Sequence, residues 1–168
     1  MAEAVDLQVV FKLIGTMTQA TDLSTLEDVL ARDYGKTFAN GTGANQLNMW
    51  WHDQRTLAAS AAEDLDLAGS LLSAFGTTIT FTSLKGLMVF AATANTNNVN
   101  VTRPAANGVP WLLAAGDGIA VKPGMWMAWF DPSANGSVVT AGTGDLITFT
   151  NSAGGTSVLY DAYLFGEV

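Results

Sequence analysis

The 168-residue chain has no cysteine and one histidine, His52. The first absence excludes a disulfide framework and thiolate chemistry, and the second leaves little for a metal site or a proton shuttle. Charge is scarce too. Charged residues make up 13% of the chain, about half the usual globular share near 25%. Lys and Arg number 7 against 15 Asp and Glu, a net charge of −8, which excludes basic-patch binding to nucleic acid because phosphate attraction dominates that affinity. No stretch approaches the ~20 uncharged apolar residues of a membrane-spanning helix. The start, Met1-Ala2-Glu3-Ala4-Val5-Asp6, lacks the basic and apolar regions of a signal peptide, so synthesis as a soluble cytoplasmic chain is expected. What the chain does have is bulk: 49% hydrophobic residues, enough to build one core without staples.

The dominant period is two. Val5, Leu7, Val9, Phe11 and Leu13 alternate along an N-terminal strand. Leu65 with Leu67, Ile79 with Phe81, and Ile147 with Phe149 repeat the pattern, and Val158, Tyr160, Ala162 and Leu164 close it. Gly86 to Ala92 and Met125 to Phe130 are apolar on both faces, as in strands covered on both sides. Turn clusters at Asn95–Asn98, Ala106–Gly108, Gly116–Gly118, Asn135-Gly136 and Ala153–Gly155 punctuate the strands. Gly41-Thr42-Gly43 and Gly142-Thr143-Gly144 also read as turns, because a third glycine and a following helix are missing. The expected fold is all-β: an antiparallel, jelly-roll-like sandwich with an N-terminal extended arm and at most one short helix. Ser24-Thr25-Leu26-Glu27 has the form of a capping box, and Thr25–Arg32 suits a short helix or another strand equally. A boundary at the glycine-rich loop divides an arm and loop (residues 1–46) from a body (residues 47–168). Asn151–Gly155 reads as the turn of a C-terminal hairpin joining Asp145–Thr150 to Thr156–Phe165.

No motif carries catalysis. His52 and Asp53 are adjacent on a strand and point to opposite faces, so with Arg55 they read as structural residues. Asp64 and Asp66 share a strand face, but the glycine turn and distal Glu of a calcium loop are missing, and a solvated face is the better reading. No catalytic residue, metal ligand or cofactor is expected. The aromatics are more informative. Trp50 and Trp51 place one ring on each side of a sheet, and Met125, Trp126 and Trp129 crowd another strand. Either a segment of the same chain or another subunit covers the outer face. The interface candidates are therefore Val5, Leu7, Val9 and Phe11 on the arm, with Trp50, Trp51, Met125, Trp126 and Trp129 on the body.

Three stretches carry a family likeness: Phe38–Gln46, Trp51–Ser60 and Glu63–Leu71, with Ala141–Leu146 and the C-terminal strands in support. From about Phe38 to Gly166 the chain resembles small structural proteins of tailed bacteriophages. The resemblance implies a virion component, and a head decoration (cement) protein in particular. Such a protein would bind the capsid exterior at junctions between subunits of the major capsid protein, and it would associate with itself as a dimer or trimer. It implies neither nucleic acid nor membrane as partner. A tail or fibre component, and a carbohydrate-binding module using Trp50, Trp51 or Trp126, are the alternatives.

Overall fold

A computed structural model describes residues 4–168; Met1–Glu3, the first three residues of the expected arm, lie outside the described residues. Fourteen strands and no helix occur among the described residues. They are β1 (Leu7–Ala20), β2 (Thr25–Asn40), β3 (Gln46–Leu47), β4 (Met49–Leu57), β5 (Ala62–Asp66), β6 (Ala68–Leu72), β7 (Thr78–Thr80), β8 (Ser83–Ala91), β9 (Val99–Thr102), β10 (Gly118–Val121), β11 (Trp126–Phe130), β12 (Ser137–Val138), β13 (Leu146–Asn151) and β14 (Val158–Glu167).

Two sheets form the body, one ordered β4-β14-β8-β11 and the other β5-β13-β9-β10. The antiparallel pairs β4·β14, β5·β13, β8·β11 and β9·β10 match first strands with last. This is the pattern of one long ribbon of paired strands rolled over on itself, a jelly roll. Short β12 continues the β11 edge of β8, and β6 with β7 make a small flap. The core lies between the sheets, where the inward rows of Leu65, Val101, Ile147 and Phe149 meet those of Leu87, Val89, Tyr160 and Leu164. Phe149 and Tyr160 stack across the gap with ring centroids 4.8 Å apart.

That topology corrects the expected C-terminal hairpin. β13 and β14 are consecutive in sequence but lie in opposite sheets, so they pack rather than pair. Asn151 holds the crossing. Its amide donates to the carbonyls of Ala58 (3.0 Å) and Thr156 (2.8 Å), and its oxygen accepts from Asn97 (3.0 Å). A turn cluster between two strand patterns does not distinguish a hairpin from a crossover between layers.

The Thr25–Arg32 segment is a strand, and the helical alternative fails. β1 pairs with β2 along its whole length, from Leu7 opposite Phe38 to Ala20 opposite Thr25. The Ser24 that would cap a helix instead closes the ribbon's tip. Its N–H donates to Thr21 Oγ1 (3.1 Å), while the Thr21 N–H donates to the Ser24 carbonyl (2.8 Å). The expected arm is therefore a two-stranded ribbon about 45 Å long, not a single strand.

The ribbon's root sits on the outer face of the β4-β14-β8-β11 sheet. Val5, Phe38, Leu47 and Phe165 form a second buried cluster there, flanked by Leu7, Val9, Met88, Phe130 and Tyr163. Gly86 makes room for it: a Cβ at that position would lie 2.6 Å from the Phe130 ring. This second layer explains why β8 and β11 are apolar on both faces. Lys85, fully buried, fastens the loop after the ribbon: its Nζ lies 2.5 Å from Glu167 Oε1 and donates to the Gly43 carbonyl at 2.7 Å. A buried cation is tolerated only with such partners.

Candidate interaction surface

The ribbon's register assigns its side chains to two faces. Leu7, Val9, Phe11, Leu13, Gly15 and Met17 share one face with Phe38, Lys36, Tyr34, Arg32, Leu30 and Asp28 opposite them. At the root this face is buried against the body. At Phe11 it meets the body's margin, where Phe11 stacks on Trp126 with centroids 5.8 Å apart and planes 14° apart. Beyond Phe11 the same face continues with nothing beneath it. Leu13, Met17, Leu26, Leu30 and Tyr34 are all exposed, Met17 at 71%. The reverse face adds exposed Val10, Ile14 and Val29, and Leu23 at the tip is 99% exposed. Soluble monomers rarely present an apolar strip of this extent without a use for it.

The candidates named from the sequence divide into two groups. Val5, Trp51 and Trp129 pack within the chain: Val5 in the root cluster, Trp51 in the sandwich core, and Trp129 edge-on to Trp111 at 6.3 Å. Leu7, Val9 and Phe11 lie half-buried against the body. Trp50, Met125 and Trp126 remain accessible. Trp50 and Trp126 both face outward, but β8 and β14 separate their strands, about 14 Å across, so they make no shared stacking platform. Sequence reasoning missed the distal ribbon residues, Leu13 to Tyr34. A signal was present in Leu26, Leu30, Tyr34 and Phe38, which recur at even spacing with charged residues between them, but the capping box competed with it.

The polar residues have structural tasks. His52 faces outward beside Tyr163, at 6.0 Å, whereas Asp53 and Arg55 face the open side of the sandwich. There Arg55 pairs with Asp53 (3.0 Å) and with Glu63 on β5 (2.6 Å), and the Tyr160 hydroxyl donates to Glu63 (2.6 Å). The Glu63 hydrogen bond holds the Arg55 guanidinium above its ordinary value, and burial, with the Glu63 bond second, pushes the Tyr160 hydroxyl far up. The network joins the edges of the two sheets. A groove of about 390 Å³ opens beside it, between β4 and the flap. Asp64 accepts from the Thr148 hydroxyl and Asp66 from the Ala68 N–H. Among the described residues no group of three or more His, Asp or Glu side chains is placed to hold a metal ion, and no helix is long and apolar enough to cross a membrane.

The geometry thus defines a jelly-roll body carrying an apolar β-ribbon. Comparison with protein-family models, with curated proteins and with solved structures found no match to this chain.

Proposed function

We propose that the protein is a non-enzymatic decoration (cement) protein of a tailed-bacteriophage capsid, bound to the shell's exterior at junctions between major capsid protein subunits. One observation carries this reading: the face that the ribbon buries at its root runs on, uncovered, past the margin of the body. Such a projection suits bridging, because the body docks on one subunit while the ribbon reaches another. Burial of apolar surface supplies the attraction, at roughly 25 cal/mol per Å² before association costs. Many copies multiply a modest contact over a shell. The family likeness from Phe38 to Gly166 points the same way.

Purified protein mixed with capsids lacking it provides the test. It should co-sediment with the shells and raise the temperature at which they break open. A ribbon shortened to Leu13 and Arg32 should lose both effects. Protein that ignores shells but is found in the tails of purified particles would overturn the proposal in favour of a tail component.

A further inference from the structure

The distal ribbon is complementary to itself. Between Leu13 and Ala31 it carries Asp22, Glu27 and Asp28 and no cation. The proximal part carries Lys12, Arg32 and Lys36, with Asp33 beside Lys12 at 3.9 Å. On the apolar face, Arg32 bonds only to the Ala31 carbonyl next to it, and Asp28 has no charged partner among the described residues. Gly15 lies in the middle of this face, with nothing within 4 Å of where a Cβ would stand.

We infer that two copies of the chain stack these faces antiparallel about a two-fold axis, the tip of each ribbon against the proximal part of the other. Trp126 under Phe11 fixes the register, because the tip of a partner ribbon, Thr21–Ser24, can advance only until it abuts Trp126. Stopped there, its Gln19–Leu26 row lies over Leu13 and Arg32. Met17 then fills the space over the partner's Gly15, and Arg32 reaches the partner's Asp28. The exposed Leu23 at each tip comes against the partner's Met125 and Trp126, both still partly exposed at the margin of the body. The contact continues the intrachain interface of Phe11 and Trp126 rather than starting a separate one. Five large, exposed side chains per copy, at about 100 Å² each, give on the order of 1,000 Å² in total, the scale of a weak specific interface. An isolated two-stranded ribbon is marginal in water, and stacking converts two of them into a four-stranded, two-layer unit. The inference deepens the reading of the ribbon as an association element. It is tested on free protein, so its failure is distinct from a failure to bind capsids.

Sedimentation equilibrium on the full chain should show a dimer that weakens with salt. Arg32→Asp and Asp28→Arg should each weaken it at least about tenfold, and the double swap should recover most of that loss. Because the chain is free of cysteine, register can be read directly. A mixture of Met17→Cys and Gly15→Cys proteins should cross-link with a short bis-maleimide, whereas Val29→Cys, on the reverse face, should not. Unchanged melting curves confirm that these exposed substitutions leave the body folded. A chain that is monomeric at about 0.1 mM, or a double swap no better than the single ones, would overturn the inference.

Discussion

Strands β13 and β1 each carry an apolar row at alternate positions and end in opposite surroundings. On β13, Ile147 and Phe149 are fully buried because the β4-β14-β8-β11 sheet faces them. On β1, Val9 packs half-buried against the body and Leu13, four residues later on the same face, is exposed, because the body ends at Trp126. Alternation creates an apolar face. Whether the chain supplies its cover depends on where neighbouring elements stop, and the ribbon outruns them.

The comparison can be broken first in the core. Phe149→Ala should lower stability by about 3–5 kcal/mol, whereas Leu30→Ala, measured on dilute monomer, should stay within about 0.5 kcal/mol. Urea unfolding checks both, and similar losses would show that the ribbon is as integral as the body. The joint between the two regions comes next. Lys85→Ala leaves Glu167 buried without its counter-charge, at a cost of about 3 kcal/mol or more, and Glu167→Gln in the same chain should restore part of it. The network at the sandwich edge has a pH signature. Unfolded tyrosine loses its proton near pH 10, while folded Tyr160 keeps its own, so stability should decline as pH rises past 10. Tyr160→Phe should make that decline shallower in pH-dependent melts. The smallest expected effect is on the ribbon. Replacing residues 14–31 with Asn-Gly, which suits a two-residue hairpin turn, should leave a cooperative melt within about 1 kcal/mol of the parent. Loss of that melt would tie the body's folding to the distal ribbon.

Much of the architecture was legible in the alternation, because a period of two places side chains on defined faces wherever a strand forms. The all-β class, the sandwich and the opposite orientations of Trp50 and Trp51 all rest on it. The helix option at Thr25–Arg32 arose because Ser24-Thr25-Leu26-Glu27 satisfies a capping pattern locally; pairing with β1 outweighed it. The supposed hairpin around Asn151 failed for a related reason. Turn residues say where the chain bends, and the sheet joined after the bend is set by packing. Trp126 was legible as an apolar residue in excess of one core, but its stacking on Phe11 was not, since that contact joins residues more than a hundred positions apart.

The sequence by itself determined most of the strands and their faces, though not β2, where a helix and a strand fitted equally. Cysteine is missing, charge is sparse and the apolar pattern repeats along the chain. Only the tertiary structure decided which apolar faces are covered. The jelly roll consumes those of the body by laying one sheet over the other, and it holds the ribbon's root with a second layer over Gly86. The ribbon's distal half lies outside that arrangement, because burial requires an opposing surface and the folded chain offers none beyond Trp126.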